Sequence, residues 1–230
     1  MLSRCDVVLV GTANPENLGG VARLAENFAP ASLALVAPRV RPDDPRALVV
    51  GRVGREPLAG ARVWATLEEA VRDAAFVVGF SARRGAARPT IALVELPALV
   101  RQRAPSSRIA LVFGPEDSGL ATGDIDRCDV AVAIDLPGAL QSLNLTQAVA
   151  IALWELARPF DGAPPAPRAQ ATRAELDALV DHAARAFAGW FRDGDEGERQ
   201  RVHLRRVLAR AALDPADVRA LHGLINRGRE

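Results

Sequence analysis

Five short runs of apolar residues punctuate the first 140 positions: DVVLVG (6–11), LALVAP (33–38), FVVGFSA (76–82), IALVF (109–113) and VAVAIDLP (130–137). They are largely continuous rather than alternating, and each runs into a loop carrying Gly, Pro or polar side chains. A strand with one wet face alternates apolar and polar residues. A run without alternation is covered on both sides. Helical stretches lie between the runs, at about 20–28, 67–75, 93–103 and 142–157. The alternation predicts an α/β fold, a mostly parallel sheet with helices on both faces. The Pro/Ala segment DGAPPAPRAQAT ends that domain. The division is therefore a domain over 1–160, a linker over 161–172 and a small α-helical extension over 173–230. In the extension, 173–189 and about 198–226 read as helices, with DGDEGE as the break between them.

Composition narrows the chemistry. All 29 basic residues are Arg and none is Lys. A P-loop nucleotidase needs the Lys of its GxxxxGK[ST] motif, and Schiff-base chemistry needs a Lys amine, so both classes are excluded. Against 28 acidic residues the net charge is only +1, which excludes a polybasic tail. No run of 18 apolar residues is present to span a membrane, and the start MLSRCDVVLVGTANPEN has no signal-peptide core. Two cysteines, Cys5 and Cys128, are too few for a disulfide framework, which fits a reducing cytoplasm. The histidines at 182, 203 and 222 have no metal-ligand spacing and read as surface residues of the tail.

Ligand sites in open α/β sheets gather at the carboxyl ends of the strands. Three stretches there combine glycines with polar side chains. They are Gly11 to Arg23, Phe113 to Leu120, and Ile134 to Leu145. None has the GxGxxG of a dinucleotide site or the GxSxG of a hydrolase elbow. Taken singly, each is compatible with a tight structural turn.

Their order and content are more specific. Asn17-Leu-Gly-Gly-Val-Ala-Arg23, Gly114-Pro-Glu-Asp-Ser-Gly-Leu120 and Ile134-Asp-Leu-Pro…Ser142-Leu-Asn144 resemble the three signature motifs of the SpoU/TrmH branch of the SPOUT methyltransferases. The segment FSAR (80–83) and the tail HLRRVLARAALDPADVRALHGLI (203–225) are similar to the TrmJ-type tRNA 2′-O-methyltransferases, so the resemblance spans nearly the whole chain. It implies a deep trefoil knot at the C-terminal end of the sheet domain, S-adenosylmethionine bound in the knot, and a homodimer. The implied reaction is methylation of a ribose 2′-hydroxyl in tRNA, at nucleotide 32 of the anticodon loop. The same chemistry on ribosomal RNA, and a non-catalytic RNA-binding protein of the same fold, are the alternatives.

The resemblance also assigns residues. Arg23 stands at the hydroxyl, supplied across the dimer, and is often described in the family as the base. A guanidinium is essentially always charged, so holding a phosphate and stabilising a developing oxyanion suit it better. Asn17 both donates and accepts, which suits holding the Arg or the loop. Glu116 orients Arg23 or a partner-chain group, or caps a helix. Ser142 is a candidate N-cap, and Asn144 ties loops together or reaches substrate. Phe80, Ser81, Ala82, Gly114, Gly119, Ile134, Ser142 and Leu143 surround the cofactor, and no metal is needed. RNA contact is expected from Arg83 and Arg84 after the cofactor segment, and from Arg205, Arg206 and Arg210 in the tail. In the tail, Arg199, His203, Arg206 and Arg210 share one helix face, with Leu204, Val207, Leu208 and Ala211 on the other.

Overall fold

The computed structural model describes residues 1–82, 90–140, 142–158 and 170–227. Seven strands form one sheet: β1 (Cys5–Val10), β2 (Ser32–Val36), β3 (Arg62–Trp64), β4 (Phe76–Phe80), β5 (Thr90–Ala92), β6 (Ile109–Phe113) and β7 (Val130–Ala133). Their order is β3-β2-β1-β6-β4-β7-β5, and every pairing is parallel. The strand period of two explains the continuous apolar runs. Val7 and Leu9 of β1 enter one core, while Val8 enters the core on the other face. Leu111 and Phe113 of β6 divide from Ala110 and Val112 in the same way.

The first core is covered by α1 (Pro15–Phe28), α2 (Pro45–Gly51), α3 (Arg55–Ala59), α5 (Leu96–Arg103) and α7 (Leu145–Ala157). The second is covered by α4 (Leu67–Val71) and α6 (Thr122–Asp126). The extension comprises α8 (Arg173–Ala186), α9 (Gly194–Arg210) and α10 (Pro215–Arg227), joined by a separate apolar cluster of Leu176, Leu179 and Val218 with Leu208 and Leu221.

Several boundaries differ from the sequence reading. Helix α1 starts at Pro15, ahead of the expected Gly20. The Asn14 side chain accepts hydrogen bonds from the Glu16 and Asn17 amides, and Pro15 fits the first helical position. Gly19 and Gly20 sit inside this helix because neighbours come close. A Cβ on Gly19 would lie 2.3 Å from the Ala47 carbonyl oxygen of α2, and one on Gly20 2.8 Å from Thr146 Oγ1 of α7. The N-cap of α7 is Asn144, not Ser142. Asn144 Oδ1 accepts from the Thr146 amide at 2.9 Å, and Gln147 caps back onto the Asn144 amide. The DGDEGE stretch forms the start of α9, where its acids suit the positive end of a helix. The long final helix is two, broken where Ala212 turns left-handed and Asp214 caps α10 through the Ala216 and Asp217 amides.

Linker residues 161–169 lie outside the described residues. Residues 170–172 are docked: the Gln170 amide donates to Ser107 Oγ, the Ala171 amide to the Leu213 carbonyl, and Thr172 caps α8. The extension grips the amino ends of β4, β6 and β7. The Arg173 guanidinium pairs with Asp129, both side chains being buried, and Asp129 also accepts from the Val77 amide at 2.8 Å. The Arg173 and Ala174 amides donate to the Ala74 and Arg72 carbonyls, and Arg206 pairs with Asp126. Residues 83–89 and 141 lie outside the described residues, and the expected knot is taken up below as a proposal.

Candidate active site

β6 ends in a loop that closes on itself. A Cβ on Gly114 would lie 2.1 Å from the Leu120 nitrogen, so that position requires glycine, and Gly119 adopts a φ of 66°, which favours it. The closed loop carries Glu116 across to the start of α1. There its carboxylate accepts from the Ala13 amide at 3.2 Å, the Asn14 amide at 3.3 Å and Asn17 Nδ2 at 3.0 Å. Asn17 is buried, and its Oδ1 accepts from Asn144 Nδ2 at 2.8 Å. Thr146 Oγ1 donates to the Asn17 carbonyl at 3.3 Å. The three stretches are thus cross-tied, with Asn17 using donor and acceptor together.

Sequence reasoning assigned no role to Thr146 or to the Ala13 and Asn14 amides. Thr146 could have been found from its place two residues beyond Asn144. The amides leave no side-chain signal.

Beside this cluster is a cavity of about 320 Å³ at the carboxyl ends of β4, β6 and β7. The residues expected around a cofactor all line it: Phe80, Ser81 and Ala82 after β4, Gly114 and Gly119 after β6, and Ile134, Ser142 and Leu143 after β7. Phe80 and Phe113 stack in its wall, with ring centroids 4.3 Å apart. Glu116, Asp117 and Ser118 supply polar groups. The Ser118 hydroxyl, and then Arg39, hold the Asp117 carboxyl below the ordinary carboxylate range, so it stays charged at neutral pH.

Arg23 is not part of this cluster within one chain. It is exposed on α1 and does not line the cavity, and Glu116 is engaged by Asn17 and the two amides instead. The expected RNA contacts also separate. Arg83 and Arg84 lie outside the described residues. Arg205 is turned inward onto Asp177 at 2.7 Å with its side chain 13% exposed, and Arg206 turns to Asp126. Burial pushes the Arg205 guanidinium below its ordinary value, with Asp177 opposing. Arg210 remains exposed, and Val207, expected on the inner face, is 40% exposed. His182 and His222 are also more than surface groups. Their rings stack and their Nδ1 atoms meet at 2.7 Å between α8 and α10. Among the described residues, no cluster of His, Cys, Asp or Glu is placed to hold a metal, and no helix is long and apolar enough to cross a membrane.

Comparison with known proteins places this geometry. The model of the SpoU rRNA Methylase family matches residues 4–154. A tRNA (cytidine/uridine/adenosine-2′-O-)-methyltransferase TrmJ of Pseudomonas aeruginosa is 30% identical over 98% of this chain and 93% of that relative. The crystal structure of TrmJ from Z. mobilis ZM4 superposes with a TM-score of 0.84 at 27% identity, covering 98% of this chain and 99% of that one. A structure described as giving insights into the 2-OH methylation of C/U34 on tRNA matches at a TM-score of 0.54 and 29% identity. It covers 66% of this chain and 93% of that one.

Proposed function

The chain belongs to the SpoU methylase family, and on that premise we propose that it methylates a ribose 2′-hydroxyl of tRNA using S-adenosylmethionine. The observation that carries the tRNA reading is coverage. The likeness to TrmJ proteins runs over 98% of the chain, extension included, whereas the family model ends at 154. The target is nucleotide 32 of the anticodon loop, and the structure concerned with C/U34 makes position 34 the nearby alternative.

The cavity fits the cofactor on its own terms. Its volume lies within the roughly 300–1,000 Å³ of small-molecule sites. Ile134 and Leu143 offer apolar contact to a nucleobase, and the charged Asp117 suits a cationic group. Bound S-adenosylmethionine supplies an electrophilic methyl on a sulfonium. The residues of this chain do the rest. Glu116, Asn17 and Asn144 lock the three loops so that the cavity mouth keeps its shape. The 2′-hydroxyl must shed its proton as it attacks, and Arg23 holds the adjoining phosphate and stabilises the developing oxyanion. A threaded 134–144 segment would fix the Ile134 and Leu143 wall of the cavity.

In this reading Arg23 is supplied to the site by a second copy, and the working form is a homodimer. The surface around it supports this. α2 and α7 pack against α1 through Gly19 and Gly20, and they leave Val49 (70% exposed), Val53 just beyond α2, and Trp154 (62%) in water. A protein acting on tRNA in this way works in the cytoplasm.

Incubation with labelled S-adenosylmethionine, unmodified tRNA transcripts and protein-free ribosomal RNA, followed by mapping of 2′-O-methyl groups, tests the reading. Methyl at tRNA nucleotide 32 is the expected result. Label at 34 moves the target, label only in ribosomal RNA changes the substrate, and absence of cofactor binding overturns the enzyme.

A further inference from the structure

Apart from the pairing of Arg39 with Asp117, the loop between β2 and α2 takes no part in the site described above, yet it stands on the same edge of the sheet. Residues 37–46 contain three prolines and three arginines in ten positions: Pro38, Arg39, Arg41, Pro42, Pro45 and Arg46. The loop is fixed rather than loose. Val40 is buried in the main core, the Arg39 amide donates to the Thr12 carbonyl at 2.8 Å, and the Asp44 amide closes a turn onto the Arg41 carbonyl around Pro42. Asp44 caps α2, with Pro45 at its first position. Proline fixes φ and lowers the entropy lost on binding, so such a loop presents side chains from a preset frame.

The arginines face solvent around a concavity of about 460 Å³, which also reaches Ala13. Ala13 is the residue whose amide holds Glu116, so the concavity adjoins the catalytic cluster. β2 stands two strands from β6, or about 10 Å at the usual inter-strand spacing. That places the loop a nucleotide or two along any RNA strand whose ribose reaches the cavity mouth.

Each guanidinium has a local carboxylate. Arg41 forks onto Asp43 at 2.8 and 2.7 Å, Arg46 reaches Asp44 at 3.4 Å, and Arg39 reaches Asp117 at 3.4 Å. The arginine side chains are 57–84% exposed. Ion pairs this exposed are weak and readily exchanged, and a phosphate offers a guanidinium the same two-oxygen geometry as a carboxylate. The acids hold the arginines spread over the concavity until a stronger anion arrives.

We propose that Arg39, Arg41 and Arg46 form a phosphate-binding platform for the RNA strand beside the methylated nucleotide. The proposal rests on the RNA methyltransferase reading and adds to it the surface that holds the flanking backbone. The contacts are to phosphate, so the platform sets affinity and register and carries no base preference.

The test is RNA binding against salt, with unmodified tRNA transcript as the probe. Replacing Arg41 and Arg46, which do not touch the cofactor cavity, by Ala should raise KM for tRNA, leave kcat and cofactor affinity as they were, and flatten the salt slope by about 0.7 for each phosphate no longer held. Replacement by Lys keeps the charges and should restore most of the slope, which separates phosphate binding from misfolding. Asp43→Asn frees Arg41 and should tighten binding, with no gain when Arg41→Ala is already present. An unchanged slope and KM in the Ala variant, or an equal gain from Asp43→Asn with and without Arg41, overturns the platform. If the parent protein methylates only ribosomal RNA, the tRNA reading fails by itself, and the same comparison on that RNA still decides the platform.

Discussion

The same parallel strands carry unlike structures at their two ends. At the carboxyl ends, three loops meet through neutral amides, backbone N–H groups and one carboxylate, and glycines clear the space between them. At the amino ends, the helical extension is held by a buried charge pair, Arg173 on Asp129, with backbone hydrogen bonds around it. The first arrangement keeps polar groups satisfied while leaving a cavity. The second buries two charges against each other, with the Val77 amide as a further donor to Asp129. A buried ion pair adds little net stability but strongly penalises misplacement. The site is thus built to receive a ligand, and the docking to fix one orientation of the tail.

The largest expected effect breaks the amino-end contact. Asp129→Ala leaves Arg173 buried without its paired carboxylate and strips the Val77 amide of its acceptor. A loss of about 3–5 kcal/mol follows, read by urea unfolding. A loss below about 1 kcal/mol would show that the extension is not anchored there. Next comes the carboxyl end. Arg23→Ala should lower kcat by about a hundredfold or more while the dimer and cofactor affinity persist. Turnover near the parent value would remove Arg23 from the reaction. Glu116→Gln is milder. It trades a carboxylate accepting three N–H groups for a single carbonyl oxygen, at about 1–3 kcal/mol. The loss should appear as roughly tenfold or more weaker cofactor binding or turnover, because the loop is slackened but not removed.

The two ends were not equally legible in the sequence. Five of the seven strands were readable because burial on both faces writes continuous apolar runs, as in β1 and β6; the three-residue edge strands β3 and β5 are only partly buried and left no such run. The cavity was readable through the resemblance, because its glycines and its Asn and Glu residues are side-chain signals. What the sequence hid was context. The glycine pair reads as the end of a loop, with the helix starting at about Gly20, until α2 and α7 are seen pressing on Gly19 and Gly20. Arg205 and Arg206 read as RNA contacts because their acids, Asp177 and Asp126, are 28 and 80 residues away in sequence. The Arg173–Asp129 pair joins positions 44 apart. Local periodicity can place a residue on a helix face, but it cannot say which distant charge that face will meet.

The smallest expected effect uses Cys5 as a reporter of the amino edge. The thiol begins β1, is fully buried, and burial pushes its pKa up from 9.0 to about 12. Its folded pKa lies above its unfolded value. The contribution to stability is therefore complete below about pH 9 and is lost as pH rises from there towards 12. At about pH 8 the native thiol is neutral and shielded, so a thiol reagent should modify it only as fast as the chain opens. The Asp129→Ala variant sharpens the comparison. If the tail docks as a clamp on the whole sheet, labelling at Cys5 should rise in step with the global loss of stability. If only the tail detaches, β1 stays closed between β2 and β6 and Cys5 keeps its parent rate while the urea transition splits in two. The parallel register of β1 with β6, which pairs Cys5 with Ile109 close to the Ser107 that holds Gln170, favours the first outcome.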